Sequence, residues 1–501
     1  MSSTRLNIAA NYFGQGWAAL MAVAFLPSYV HHLGVEAYGL IGLFAVIQAM
    51  VMVLDMGTGP TLNREMVRFA LGNTGSQYIR NLLRSMEIIC VGFAMLFAGA
   101  VWVASGYLSR EWLQAANLLP SEVALVLVLM ALAAGMRLCE GVYRASLYGL
   151  EHQIWYNATF SALSTLRYGG ALGVLVFVLP TLQAFFIWQA SISLLTILVL
   201  SGRVYRSLPK SMSPGKFSLD ALTSIRRFAA GMMGIAFLTM LFLQMDKLLL
   251  SRLVSLQDLG YYSLAATAAN VMFMMVIPIA QAVYPRVVRL SAGEDRNSLA
   301  GLYHKTAQFV TVLTASASLL LCFFSEGVIY AWSGSADLVK AISPILSVLV
   351  VGSFLNGLSY LPSQVQIAHG STGFLVKLNA CALLAFVPML LVAVPVYGVQ
   401  GAAWCWLILN AIYLLCVSGS IHNRIKDGRT SCSYNWSDMV LPALMAGFVL
   451  WTAKYFAPPD YSSRLAWAVF LMCAGVTSLA VSAVAAPLLR AHLLRLFANK
   501  E

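Results

Sequence analysis

The chain has 501 residues, of which 60% are hydrophobic and 10% are charged, and its formal net charge is +12. Ordinary soluble domains carry about 25% charged residues, so this composition excludes a soluble globular protein and indicates a polytopic membrane protein. The basic excess is spread over short loops and not clustered on a soluble domain, so it does not indicate a nucleic-acid partner.

Apolar runs of spanning length follow one another along the whole chain. A bilayer core of about 30 Å requires roughly 20 apolar residues per helix, and this length predicts an all-α protein with about fourteen transmembrane helices. Twelve or thirteen would result if the short gaps near 180 and 396 do not separate two spans. The predicted spans are residues 7–29, 38–60, 84–106, 121–147, 154–179, 182–201, 228–251, 259–284, 303–324, 341–366, 374–395, 398–421, 437–457 and 465–489.

Basic residues accumulate on one predicted side of the membrane. With fourteen spans, 23 of the 31 Lys and Arg residues fall on one side and five on the other. Because cytoplasmic loops collect Lys and Arg, the richer side should be cytoplasmic, and both termini should lie there. The three basic residues that remain within spans are Arg137, Arg167 and Lys247.

A long polar segment after the sixth span divides the chain. We predict an N-terminal six-helix lobe at 1–201, a cytoplasmic linker at 202–227, a C-terminal six-helix lobe at 228–422, and a loop with two additional spans at 423–501. The second span of the N-terminal lobe aligns with the second span of the C-terminal lobe, and this alignment places Gly39 opposite Gly260. Such parallel repeats are related by a pseudo-two-fold axis along the membrane normal, although any two membrane hairpins share part of this pattern.

The fourth and fifth spans carry candidate substrate-binding arginines. Arg137, Glu140 and Arg144 have the spacing i, i+3, i+7 and share a helical face, and Arg167 lies midway along the fifth span. Charges at mid-membrane cost about 2.5–3.5 kcal/mol each and usually face a cavity, and arginine suits phosphate because its planar fork binds two oxygens. The alternatives are a structural Arg137–Glu140 pair and an Arg144 that extends to the interface.

The run LFLQMDKLLLSRL places Asp246 beside Lys247 in the seventh span. Asp246 lies roughly 28 Å from the predicted cytoplasmic end of this helix at 1.5 Å per residue, in the outer half of the membrane. We predict Lys247 as a phosphate contact and Asp246 as a gate residue or a coupling-ion site, unless the two are an interfacial anchor. Glu140 and Asp55 are further gate or coupling candidates, but Asp55 lies beside two glycines and a proline and would more readily shape a helix break.

Catalytic and nucleotide-binding motifs do not occur in the sequence. There is no phosphate-cradling GxxxxGK[ST], no HExxH and no GxSxG, which are the patterns of P-loops, zinc proteases and serine hydrolases. We therefore expect a protein that is not an enzyme, with no cofactor and no metal site.

Three segments together resemble one family. QMDKLLLSRLVSLQDLGYYSLA (244–265), LGVEAYGLIGL (33–43) and RLCEGVYRASLYGLEHQIWYN (137–157) are similar to segments of the polysaccharide exporters, the Wzx-type flippases of lipid-linked oligosaccharides. These belong to the same superfamily as the multidrug extruders and peptidoglycan-precursor flippases. The resemblance covers about residues 5 to 425 and implies two six-helix lobes around a central cavity.

The resemblance also implies a substrate, a location and partners. The substrate would be an undecaprenyl-pyrophosphate-linked glycan, such as an O-antigen unit, moved from the cytoplasmic to the periplasmic leaflet of the bacterial inner membrane. Partners would be membrane lipids and possible envelope proteins, namely a polysaccharide polymerase and a chain-length regulator. The alternatives are a drug or cation antiporter, a peptidoglycan-precursor (lipid II) flippase and, in a different class, a membrane polysaccharide polymerase or ligase.

Overall fold

The structure is a computed structural model, and it describes residues 2–491 apart from 73, 114, 210–214, 220–222, 224–225, 293–295, 370–371, 423–435 and 459–462. Every secondary-structure element assigned within these residues is a helix. The predicted all-α class is confirmed. Among the described residues, eleven helices are long and apolar enough to cross a membrane, and they include one of 48 residues.

The helices follow the predicted spans closely. They are α1 (Ser2–Ala24), α2 (Leu26–Leu33), α3 (Val35–Ala70), α4 (Ser76–Tyr107), α5 (Pro120–Gly149), α6 (Gln153–Phe177), α7 (Leu182–Ser207), α8 (Arg226–Leu253), α9 (Leu256–Ala269), α10 (Val271–Ala292), α11 (Arg296–Phe323), α12 (Ser325–Ser333), α13 (Ala336–Ala368), α14 (Thr372–His422), α15 (Leu441–Ala453) and α16 (Arg464–Ala485). Short π-helical turns at Leu108–Trp112 and Trp436–Val440 and a 3-10 turn at Lys454–Phe456 complete the assigned elements.

Both short gaps in the predicted span list separate helices. Thr181 caps α7, because its hydroxyl oxygen accepts from the backbone N–H of Ala184 at 3.3 Å, which is the usual role of Thr before a helix. The 51 residues of α14 would reach about 76 Å as one straight helix, more than twice the bilayer core. Gly398 interrupts it with φ 59° and ψ −147°, a conformation that favours glycine, so α14 is two spans.

The helix α3 differs from the prediction that Asp55 shapes a helix break. It runs without interruption from Val35 to Ala70, ten residues past Pro60. A proline within a spanning helix is tolerated when neighbouring groups satisfy the freed carbonyl. Asp55 therefore lies inside a continuous helix, where its carboxylate is available to another helix.

The described chain divides into two compact units, Met1–Gly260 and Tyr261–Glu501. The first unit contains α1 to α8 and the start of α9, and the second contains the rest. This packing division places α8 with the N-terminal helices, where it packs on α3. The predicted lobes were defined by repetition in the sequence and not by packing. The packing units therefore do not test the predicted boundaries at 201, 227 and 422, which stay predictions.

The two aligned glycines meet within the first unit. A methyl group on Gly39 would overlap the carbonyl oxygen of Leu256, and one on Gly260 would overlap that of Val35. Each glycine thus packs against the residue four positions before the other. This reciprocal contact lets the starts of α3 and α9 approach closely, and small residues serve this purpose in membranes.

Candidate functional site

A charged cluster joins α5, α6 and α7 in the first unit. Arg167 of α6 donates to Glu140 of α5 at 3.0 Å and to the Ser193 hydroxyl of α7 at 2.9 Å. A longer contact of 3.4 Å joins Arg167 to the Thr196 hydroxyl. The Arg167 side chain is 9% exposed, so protein acceptors replace water around this charge.

Arg137 is the second cation of this cluster. Glu140 attracts its guanidinium and Arg167 repels it, and Tyr168 lies near its side chain. Its guanidinium carbon lies 5.8 Å from the centre of the Phe44 ring in α3, within cation–π range. Its Nε atom has no hydrogen-bond partner among the residues that the structure describes. The cluster therefore combines two cations with one carboxylate, an excess of one positive charge.

Arg144 faces a different helix. It forms an ion pair with Asp55 of α3, whose side chain is 9% exposed. The close approach of α5 to the Asp55 side chain depends on Gly141, because a methyl group at this position would overlap the Asp55 carboxylate. The three charged residues predicted on one face of α5 thus have different partners. Glu140 pairs with Arg167 of α6, Arg144 pairs with Asp55 of α3, and Arg137 contacts the Phe44 ring of α3.

Asp246 and Lys247 are both buried in α8, each 8% exposed. The Asp246 carboxylate attracts the Lys247 ammonium. One turn further on, the Ser251 hydroxyl accepts from the Trp112 indole N–H at 3.0 Å, which fixes the end of α8 to the turn after α4. The pair lies inside the packed part of the helix, before its terminal turn.

Lys247 and Arg137 lie beside the same stretch of α3. Met240 of α8 packs against Ala49, and Leu256, just after α8, meets Gly39. Lys247 falls between these two contacts along the chain, so it lies beside the segment from Gly39 to Ala49. Arg137 contacts Phe44 in that segment.

Sequence reasoning missed a buried carboxylate in α4. Glu87 accepts from the hydroxyls of Tyr143 at 2.8 Å and Tyr205 at 2.7 Å, and from Arg84 at 3.0 Å. The spacing of Arg84 and Glu87 was visible, but both lie near the predicted start of a span, where no site was predicted. The two tyrosines are 56 and 118 residues away from Glu87, so local sequence could not identify them.

The second unit has one buried pair of titratable side chains among its described residues. His304 of α11 contacts Asp438, whose other oxygen accepts from Gln308 at 2.9 Å. The Gln308 oxygen in turn accepts from the backbone N–H of Leu488 at 2.9 Å. This network joins α11 to two other segments. One is the turn before α15, which contains Asp438, and the other follows α16 and contains Leu488.

A long apolar groove of about 920 Å³ lies within the second unit. It is bordered by α11, α13, the second half of α14, the Trp436–Val440 turn and α15. Apart from Ser418, its lining side chains are apolar or aromatic, and they include Leu319, Phe354, Leu358, Leu415 and Phe448. In a spanning region, such a groove suits a hydrocarbon chain.

The fold and the charged interior define a multi-pass helical membrane protein of the transporter type. The chain belongs to the polysaccharide biosynthesis protein family, whose sequence model matches residues 5–291, more than half of its length. The family predicted from the three sequence segments is confirmed.

Two curated relatives carry related descriptions. The chain is 22% identical to the "Putative O-antigen transporter" of Shigella flexneri over 413 residues, 81% of this chain and 96% of that protein. It is 28% identical to the succinoglycan biosynthesis transport protein ExoT of Rhizobium meliloti (strain 1021) over 225 residues, 42% of this chain and 43% of that one.

Solved structures share the fold. The lipid II flippase MurJ in its inward closed conformation aligns with a TM-score of 0.72 at 12% identity, over 96% of this chain and 98% of that one. An inward-facing multidrug resistance transporter of the MATE family, from the MOP superfamily, aligns with a TM-score of 0.62 at 15% identity, over 83% and 94%. At these identities the likeness establishes the fold alone.

Proposed function

We propose that this protein is a flippase that moves an undecaprenyl-pyrophosphate-linked oligosaccharide from the cytoplasmic to the periplasmic leaflet by alternating access. Its family and the transport functions named for its two curated relatives support a lipid-linked polysaccharide as cargo. The bacterial inner membrane, with both termini in the cytoplasm, is the location that the basic loops favour. A polymerase and a chain-length regulator are the protein partners that this cargo favours.

The observation that carries the proposal is the cluster of Arg137, Arg167 and Glu140. Arg167 pairs with the single carboxylate of the cluster, Glu140, and Arg137 attracts that carboxylate and repels Arg167. An incoming pyrophosphate would relieve this repulsion, because its oxygens accept charge-assisted hydrogen bonds from both arginines. A cationic drug would increase it, so the cluster favours an anionic substrate over a drug or cation.

Lys247 fits a further demand of this substrate. It lies beside the same segment of α3 as Arg137, which supports Lys247 as a second phosphate contact. Asp246, Glu140 and Asp55 are the candidates for gating or ion coupling, and Arg144, engaged by Asp55, is the remaining candidate phosphate contact.

Complementation tests the proposal. In a strain that lacks its own exporter, the wild-type chain should restore surface glycan, and Arg137→Ala should reduce it roughly tenfold at equal abundance in the membrane. This expectation follows from charge-assisted hydrogen bonds worth about 1.5–3 kcal/mol each. Surface glycan at the wild-type level with Arg137→Ala would contradict the phosphate-binding role of the cluster.

A peptidoglycan precursor is the second candidate cargo, because it is also a polyprenyl-pyrophosphate-linked saccharide and the lipid II flippase MurJ has the same fold. Both cargoes present a polyprenyl pyrophosphate, so the charged cluster serves either one. Rescue of a strain depleted of its lipid II flippase would assign the precursor, whereas rescue only of the surface polysaccharide would assign the exported glycan.

A further inference from the structure

One stripe of α4 changes from cationic to apolar along its length. Arg80, Arg84, Glu87, Val91 and Met95 follow at spacings of three or four residues, so they share a helical face. The Arg84 side chain is 53% exposed, and Val91 and Met95 are 52% and 64% exposed. Large apolar side chains that are exposed on a spanning helix face lipid. The stripe therefore leads from the polar end of α4 into the hydrocarbon.

A groove of about 290 Å³ lies beside this stripe, between α4, α5 and α7. Glu87 and Tyr143 lie at one end, and the remaining lining residues are apolar or cysteine, with Met95 and Leu132 toward the other end. From Glu87 to Met95 the groove follows α4 for about 12 Å, and from Tyr143 to Leu132 it follows α5 for about 16 Å, at 1.5 Å per residue. Half of a hydrocarbon core is about 15 Å, so the groove has the depth of one leaflet.

At the polar end of the groove, the buried carboxylate of Glu87 is paired within the protein. The Glu87 carboxylate, 8% exposed, is neutralised by Arg84 and accepts from two tyrosine hydroxyls. Arg80, one turn earlier, donates to the carbonyl oxygen of Pro209 at 3.1 Å. The acid is turned inward while both arginines remain accessible, so the mouth presents positive charge.

The segment after α7 contributes a third cation. The backbone N–H groups of Lys216 and Ser218 donate to the side chains of Asn81 and Ser85, each at 2.9 Å. Asn81 and Ser85 directly follow Arg80 and Arg84 in α4. The exposed Lys216 therefore lies beside the polar end of α4, at the level of Arg80 and Arg84, where backbone hydrogen bonds hold the segment.

Two apolar side chains of the same segment indicate contact with the membrane surface. Phe217 is 48% exposed and Leu219 is 67% exposed, on either side of Ser218. Aromatic and aliphatic side chains beside basic residues are typical of segments that lie in the membrane interface. Insertion of these two side chains would hold Lys216 at the level of the phospholipid phosphates.

We propose that the first unit binds an anionic phospholipid of the cytoplasmic leaflet, with one acyl chain in the groove and the headgroup phosphate at Arg84 and Lys216. Three cations at the mouth face one carboxylate, which leaves two net positive charges. A net negative headgroup is therefore preferred over a zwitterionic one, since each basic residue near a membrane surface contributes about 1 kcal/mol.

Native mass spectrometry of the purified full chain tests this site with phosphatidylglycerol and with phosphatidylcholine of the same acyl chains. Val91→Trp fills the groove and leaves the polar mouth intact, and Lys216→Ala removes a cation without altering the backbone hydrogen bonds. Leu96→Trp is the matched control, because Leu96 is 74% exposed, directly follows Met95 and does not line the groove.

The wild-type protein and Leu96→Trp should retain phosphatidylglycerol in preference to phosphatidylcholine. Val91→Trp should lose most of the bound lipid, and Lys216→Ala should lower the preference for phosphatidylglycerol about fivefold, the equivalent of about 1 kcal/mol. Undiminished binding by Val91→Trp would overturn the acyl-chain site. Equal retention of the two lipids by the wild-type protein, or an unchanged preference in Lys216→Ala, would overturn the headgroup site.

Discussion

The two compact units bury different kinds of polar group. In the first, four largely buried carboxylates each pair with at least one arginine, and α8 adds a buried lysine beside an aspartate. In the described part of the second, His304 and Asp438 are the buried titratable pair, and hydroxyls and amides make up most of the other buried polar side chains. The first interior is ionic, whereas the second is mainly neutral.

This difference shows that the more costly buried groups, the charged side chains, are concentrated in the first unit. Removing one partner of a buried ion pair costs about 3–5 kcal/mol, whereas hydrogen bonds between membrane helices average about 0.6 kcal/mol. Neutral groups suffice to hold helices together, as in the second unit. Holding helices together therefore does not explain the buried charges of the first unit, whereas binding of an anionic substrate does.

The largest effect should come from Arg167→Ala, which leaves Glu140 buried without its hydrogen-bonded cation. We expect a loss of about 3–5 kcal/mol of stability, measured as reduced membrane abundance and a lower melting temperature in detergent. Arg167→Ala with Glu140→Ala should recover abundance but not export of the lipid-linked glycan. If the double variant also exports normally, the pair has only a structural role.

A smaller effect, measured in transport, is expected for Lys247. Lys247→Met keeps much of the side-chain volume and removes the charge that Asp246 attracts, so export should fall roughly tenfold through loss of a charge-assisted contact. Lys247→Arg, which keeps the charge, should retain part of the rate. Export per membrane-inserted protein is the measurement, and equal rates for Met and Arg would rule out an electrostatic role.

The close packing of Gly141 against the Asp55 carboxylate predicts a small to intermediate loss of stability when Gly141 is replaced. Gly141→Ala should destabilise the protein by about 1–3 kcal/mol, because the new methyl group overlaps the carboxylate that pairs with Arg144. Gly173→Ala is the matched control in α6, since a methyl group there meets no atom within 4 Å. Thermal unfolding of the two variants in the same detergent compares them directly, and equal melting temperatures would contradict the proposed contact.

The smallest effect should come from the second unit. Asn356 donates to Asn410 between α13 and α14, a neutral contact, so Asn356→Ala should cost less than about 1 kcal/mol. Export should change by less than about twofold. A loss as large as that of Arg167→Ala would remove the contrast between the two interiors.

The helices could be predicted from sequence because hydrocarbon requires each span to be apolar and about 20 residues long. The short gap predicted near 396 is also present in the structure, which places Gly398 at positive φ there. The continuous α3 was not predicted. Glycines and a proline next to Asp55 indicate a break in water, but packing against α5 supports the helix in the folded protein.

The charged residues of the site could be located, but their partners could not. Arg137, Arg167 and Lys247 were identified because charges within apolar spans are rare. Glu140 and Arg167 are 27 residues apart and Asp55 and Arg144 are 89 apart, so their pairing depends on helix packing. The spacing on α5 placed Arg137 and Arg144 on one face, but a face that is wide enough can contact two different helices.

The most direct test of the ionic interior is whether Arg137 recognises phosphate charge. Purified protein should bind a polyprenyl-pyrophosphate-linked sugar more tightly than the corresponding monophosphate. Arg137→Ala should weaken binding of the pyrophosphate form roughly tenfold, the effect of one charge-assisted hydrogen bond, and should largely remove the discrimination. If Arg137→Ala binds both forms as the wild-type protein does, the charged cluster of the first unit does not hold the substrate phosphate.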